Sequence, residues 1–287
     1  MGTRTRRVPS GDAVEGTVAH RCHCAPPGDR CLGLTSPRMD LKLEGKVALV
    51  TGAGGGIGEA IATALCDEGC VVYFGDSNAD AAARAVSRCN TFGRAIVLDV
   101  GDPASLKTCA DRIVSEQGRI DILVNNAGIL KTGSVVDATI ADWDEVCRVN
   151  LSGVYYCCKA VLPSMVERGS GKIINVASVS AAKGGGAFGN VLYGATKAGV
   201  IALTKGMARD LGPYGINVNA IAPAVADTGM TSALLTPERR QAIVAAIPLG
   251  RLASSADIAR IALILASDVS SYVTGETIVV DGGYLTR

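Results

Sequence analysis

The chain has 287 residues, 48% of them hydrophobic and 19% charged, and its 28 Lys and Arg against 27 Asp and Glu leave a formal net charge of +1. That length suffices to bury the core of one domain or at most two, and a charge so near zero gives no electrostatic pull toward nucleic acid or an anionic membrane. No stretch is apolar for long enough to span a bilayer, since even 191–203 is broken by Tyr193, Thr196 and Lys197.

Residues 1–38 stand apart. They hold Arg4, Arg6, Arg7, Arg21, Arg30 and Arg38, the turn formers Pro26, Pro27 and Gly28, and no apolar periodicity. The expectation is a disordered N-terminal extension, with the folded domain running over 39–287 from Met39. His20 and His23 are the only histidines, so the remainder offers no imidazole for a serine–histidine–acid triad or a histidine-ligated metal. Cys22, Cys24 and Cys31 lie near them at spacings that match no usual zinc pattern, and no metal is expected. The other seven cysteines are scattered through apolar segments, as small core residues of a reducing, cytoplasmic compartment would be.

From Lys46 onward short β-branched runs alternate with helical patterns. Strands are predicted at 47–51, 71–75, 95–98, 122–124, 172–176, 216–221 and 277–280. Helices are predicted at 58–68, 79–89, 103–116, 143–167, 192–211, 237–246 and 256–266. Strand–helix alternation requires parallel pairing with right-handed crossovers. The fold class is therefore α/β: a single doubly wound Rossmann-like domain with a seven-stranded parallel sheet flanked by helices, its ligand site beyond the carboxyl ends of the strands.

Three groups of residues carry the chemistry. The turn from Thr51 through Gly52, Gly55, Gly56, Ile57 and Gly58 leaves an apolar strand and enters a helix, where positions without side chains let backbone N–H groups approach a pyrophosphate. Asp76 ends the next strand, placed to accept hydrogen bonds from ribose hydroxyls and to repel a 2′-phosphate, which favours NAD as cofactor. Tyr193 and Lys197 lie one helical turn apart, so the ammonium can lower the pKa of the phenol and make it a base.

With Asn125-Asn126-Ala127-Gly128 after the fourth strand, these motifs follow the order of the short-chain dehydrogenase/reductase family, which the chain resembles in its single-domain form from about Leu41 to the C-terminus. The resemblance implies an NAD(P)-dependent oxidoreductase that interconverts a secondary alcohol and a ketone, a small-molecule substrate, and a homotetramer. It implies catalytic roles for Asn150, Ser178, Tyr193 and Lys197, with Ser180 as a rival to Ser178. In the family, the asparagine anchors a proton-relay water and the lysine also bonds the nicotinamide ribose. It further places Asp99 and Val100 at the adenine, Asn125, Ala127 and Gly128 along the middle of the cofactor, and Pro223, Ala226 and Thr228 at its nicotinamide end. Ala224 stands where the family usually has glycine, so a positive φ there would be strained. The loop 183–189 and the segment 229–250 match the parts that cover the substrate. One alternative is a 3-oxoacyl-(acyl-carrier-protein) reductase using NADPH; another is a catalytically idle dinucleotide-binding sensor or scaffold.

Overall fold

A computed structural model describes residues 40–89 and 92–286. The expected extension at 1–38 lies outside these residues, as do the cysteines and histidines within it. In chain order the elements are β1 Val47–Thr51, α1 Gly56–Asp67, β2 Val71–Asp76, α2 Ala79–Ser87, β3 Gly93–Val97, α3 Pro103–Gln117 and β4 Ile122–Asn125. Then come α4 Ile140–Cys147, a π-turn Arg148–Ser152, α5 Gly153–Arg168, β5 Gly171–Val176, α6 Ser180–Lys183 and α7 Val191–Leu211. The last are β6 Ile216–Pro223, α8 Gly229–Ser232, α9 Pro237–Ala245, α10 Ser255–Ala266 and β7 Thr277–Val280.

The seven strands form one sheet in the order β3-β2-β1-β4-β5-β6-β7, every pair parallel. Side chains alternate across it as the pleat requires. Ala48 and Val50 join Ile61, Leu65, Phe74 and Ile258 in the layer of α1 and α10. Val47 and Leu49 join Ile113, Leu123, Val161 and Ile173 in the layer of α3 and α5. Each such fully buried aliphatic side chain contributes about 1.5–3 kcal/mol, so both layers are needed to hold a sheet apolar on its two faces.

Local sequence sets the helix ends. Asn78 accepts from Ala81 N at 3.0 Å and Asp102 from Ala104 N at 3.0 Å, while Thr139 with Asp142 and Ser254 with Asp257 close capping boxes. Each such cap is worth about 1 kcal/mol. The helix predicted at 143–167 starts earlier, because Thr139 caps it, and is interrupted by the π-turn, where Gly153 N donates to Arg148 O. Strand order reverses between β1 and β4, which opens a crevice at their carboxyl ends.

Candidate active site

Tyr193 sits in the first turn of α7. Asn190 fixes that turn by accepting from Leu192 N at 3.1 Å and Tyr193 N at 3.3 Å. One turn on, Lys197 is only 3% exposed, its Nζ donating to Val176 O at 2.7 Å and lying 5.7 Å from the centroid of the Tyr193 ring. Burial without a carboxylate partner lowers the pKa of Lys197 from 10.5 to about 8. Tyr193 departs from expectation: burial pushes its hydroxyl up, and a hydrogen bond with Ser178 pulls it only partly back. Desolvation outweighs what Ser178 contributes.

Both serines line the cleft of Tyr193, but Ser178 is the one that lowers the tyrosine's pKa, and it accepts from Ser180 N at 3.1 Å. Ser180 is 7% exposed and tucked under the glycine loop, where a Cβ on Gly186 would lie 2.7 Å from its Oγ.

Asn150 is wholly buried in the π-turn. Its Oδ1 accepts from Ile129 N at 2.8 Å and its Nδ2 donates to Ile129 O at 2.9 Å, which clamps the segment after β4. A Cβ on the neighbouring Gly128 would come 3.2 Å from Asn150 Oδ1 and 3.7 Å from Lys197 Nζ.

At the glycine turn, Gly52 (φ 63°) lies so close to β4 that a Cβ would reach 2.8 Å from Ala127 Cα. Gly56 (φ 60°) faces Thr228. Gly55 is the N-cap of α1 and has no side chain to cap the first turn, leaving the helix N-terminus to a ligand, while a Cβ on Gly58 would strike Gly52 O. Asn126 locks the turn by donating to Thr51 O at 3.1 Å and Gly52 O at 3.0 Å. Asp76 holds it from the other side, Oδ2 accepting from Gly54 N at 3.0 Å and Oδ1 from Asn78 N at 2.9 Å.

Two clefts meet over the end of β4, and Gly128 lines both. One, of about 260 Å³, is lined by Gly52, Asp76, Asp99, Val100 and Ala127. Sequence reasoning missed Arg148, which enters this cleft from the π-turn and pairs with Asp99 at 2.9 Å. Burial raises the Asp99 carboxyl, yet the Gly101 N–H and Arg148 together bring it below its usual range. The other cleft, of about 130 Å³, joins Ile57, Ser178, Tyr193 and Lys197 to Pro223, Ala226 and Thr228.

Asn125 lines neither. As the last residue of β4 its side chain points into the sheet layer, where Nδ2 donates to Asn175 Oδ1 at 2.9 Å, and its neighbour Asn126 takes the place at the cleft. Ala224 does not need glycine: the one described non-glycine residue with positive φ is Lys42, and Ala224 N donates to Val280 O at 3.1 Å. Among the described residues no three His, Cys, Asp or Glu side chains gather as metal ligands, and no helix is long and apolar enough to cross a membrane.

A family model described as Enoyl-(Acyl carrier protein) reductase matches residues 52–285. The 3-oxoacyl-(acyl-carrier-protein) reductase of Escherichia coli is 41% identical over 244 residues, spanning 85% of this chain and 98% of that protein. An uncharacterized short-chain type dehydrogenase/reductase of Sinorhizobium fredii is 43% identical over 249 residues, again 85% and 98%. Among solved structures, a gluconate 5-dehydrogenase from Burkholderia cenocepacia in complex with NADP and tartrate superposes with a TM-score of 0.80 at 35% identity, covering 86% of this chain and 98% of that one.

Proposed function

The chain belongs to the short-chain dehydrogenase/reductase family, oxidoreductases of hydroxyl and carbonyl groups, and from that premise we propose that it moves hydride between NAD(H) and a secondary alcohol or ketone. The observation that carries the proposal is that Ser178, Tyr193 and Lys197 line one cleft, the Lys197 Nζ 5.7 Å from the Tyr193 ring centroid, and that Gly128 lines both this cleft and the glycine-turn cleft.

The residues present fit a dinucleotide. Gly52 and Gly56 shape a cradle with backbone that other residues adopt only under strain, and the uncapped start of α1 can receive a phosphate. Asp99 and Val100 would flank the adenine, Ala127 and Gly128 the middle, and Ile57, Pro223, Ala226 and Thr228 the nicotinamide. When bound, the dinucleotide supplies the hydride acceptor or donor. Ser178 orients the substrate oxygen, and Tyr193 takes its proton during oxidation or returns it during reduction. Lys197 keeps a positive charge near the phenol and has a donor for a ribose hydroxyl. Asn150 spends both side-chain arms on Ile129, so a relay to Lys197 at this position would use its main-chain carbonyl.

Asp76 supports NAD. Its carboxylate lines the 260 Å³ cleft where a 2′-phosphate would meet like charge, and the cation nearby, Arg148, is already paired with Asp99. A second reading, reduction of a 3-oxoacyl thioester with NADPH, is favoured by the names of the curated relatives. Initial rates with NAD⁺ and NADP⁺ over polyols, hydroxysteroids and hydroxyacids, and NADPH-driven reduction of an acetoacetyl thioester, separate the two. The proposal expects kcat/KM about a hundredfold or more in favour of NAD⁺, as one uncompensated charge contact in a desolvated site costs. Rates that favour NADP(H) together with thioester reduction would reverse it.

A homotetramer is supported by apolar side chains left open on the subunit, among them Ile140, Trp143, Tyr155, Tyr272 and Val279. A cytoplasmic setting is supported by the seven described cysteines, none of them in a disulfide, with burial pushing Cys70, Cys109 and Cys158 up to about 12.

A further inference from the structure

The 130 Å³ cleft has a chemical bias. Among the described residues that line it, Lys197 alone is charged, and its Nζ is engaged by Val176 O. Leu130, Val179, Phe188, Val225, Met230 and Tyr284 line it together with Ser178 and Tyr193, and its other polar side chains, Asn126, Ser180, Thr228 and Thr231, are uncharged. A substrate carboxylate placed against these apolar walls would lose its hydration, while the two ammonium groups near it are already engaged, Lys197 with Val176 O and Lys183 over the Tyr284 ring.

Tyr284 belongs to none of the recognised motifs. It reaches the cleft from the turn after β7, which is held tightly: Asp281 accepts from Gly283 N and from Leu285 N, both at 2.8 Å, and Leu249 N donates to Gly282 O at 3.1 Å. The face of its ring is held by Lys183, whose Nζ lies 4.2 Å from the centroid. Phe188 from the glycine loop and Tyr284 from the tail both pack on Ile243, Ile247 and Leu252. Loop, covering segment and tail therefore meet in one apolar cluster at the cleft.

We propose that this site takes an uncharged ketone or secondary alcohol with apolar flanks, and that Tyr284, clasped by Lys183, is the residue that sets the size it admits. The proposal rests on the hydride-transfer reading above. Lys183 acts through Tyr284 and is a positioning residue.

The test compares cyclohexanone, the bulkier 2-decalone and the similar-sized but charged keto acid 2-oxohexanoate, with NADH, in the full chain. The wild type should prefer cyclohexanone to the keto acid by about a hundredfold or more in kcat/KM, because an unpaired carboxylate must be buried. Tyr284→Ala should raise the decalone-to-cyclohexanone ratio by about tenfold, the usual effect of a few methylenes of added space. Tyr284→Phe should leave that ratio near the wild-type value, and Lys183→Met should shift it in the same direction as Tyr284→Ala but less. If Tyr284→Ala does not fold, Tyr284→Leu and Lys183→Met carry the same comparison. Unchanged ratios, or a preference for the keto acid, overturn the proposal. Quenching of bound-NADH fluorescence by the same ketones gives the ratios independently of turnover. A wild type that binds NADH and these ketones but never turns over would refute hydride transfer, while the binding ratios would still decide the role of Tyr284.

Discussion

Lys197 is held in the fold at a cost. An ammonium buried with one carbonyl for a partner has its pKa drawn from 10.5 to about 8, a penalty of about 3 kcal/mol. Below pH 8 both the folded and unfolded chains hold this proton, and the folded state bears the whole penalty. Between pH 8 and 10.5 the unfolded chain binds more proton than the folded one, so stability gains with rising pH until the penalty is gone. Lys197→Met should therefore stabilise the protein at pH 7 by about 2 kcal/mol, once about 1 kcal/mol is deducted for the Val176 carbonyl left without its donor. The gain should vanish near pH 10, where the remaining penalty falls to about the 1 kcal/mol lost at the carbonyl, and turnover should be lost throughout. Melting curves of both proteins at pH 7 and pH 10 check this; a variant less stable at pH 7 would show that the buried charge is not a burden. That Tyr193 and Lys197 are neighbours was legible from their four-residue spacing, but burial was not, and burial sets the direction of the phenol's shift. The side-chain placement of Asn125 was hidden for a related reason: two adjacent asparagines at a strand end point to opposite sides, and a bare sequence does not say which one enters the cleft.

At the scale of elements, the π-turn Arg148–Ser152 does most to shape the site. It places Asn150 against Ile129 and sends Arg148 toward Asp99 on the cofactor side. Asn150→Ala would leave both polar groups of the Ile129 backbone without their partner and should cost about 2–4 kcal/mol. Urea unfolding should show a lower midpoint with an unchanged slope; a midpoint within error of wild type would contradict the clamp. The seven strands were legible because buried parallel strands are short, β-branched and bounded by Gly, Asn or Asp. The π-turn was not, since it depends on what Asn150 meets across the fold, and the helical pattern runs through it unbroken. Tyr284 was invisible for the same reason, because nothing near it in sequence announces a cleft.

For the whole molecule, the glycine turn and the Tyr193–Lys197 pair lie at the carboxyl end of one seven-stranded sheet. A chain that begins at Met39 should match the full chain in melting temperature and in kcat/KM; a loss beyond about twofold in kcat/KM would give residues 1–38 a part in the account. The coordinated action of cofactor cleft and hydroxyl pair is the central claim, and the conservative variant Tyr193→Phe tests it most directly. It keeps the ring that packs in the cleft and removes the one group that exchanges the proton. With NAD⁺ and the best alcohol of the panel, absorbance at 340 nm should show turnover in the variant reduced by about 10²–10⁴-fold, while NADH fluorescence shows unchanged cofactor affinity. Turnover equal to wild type in Tyr193→Phe would contradict the account.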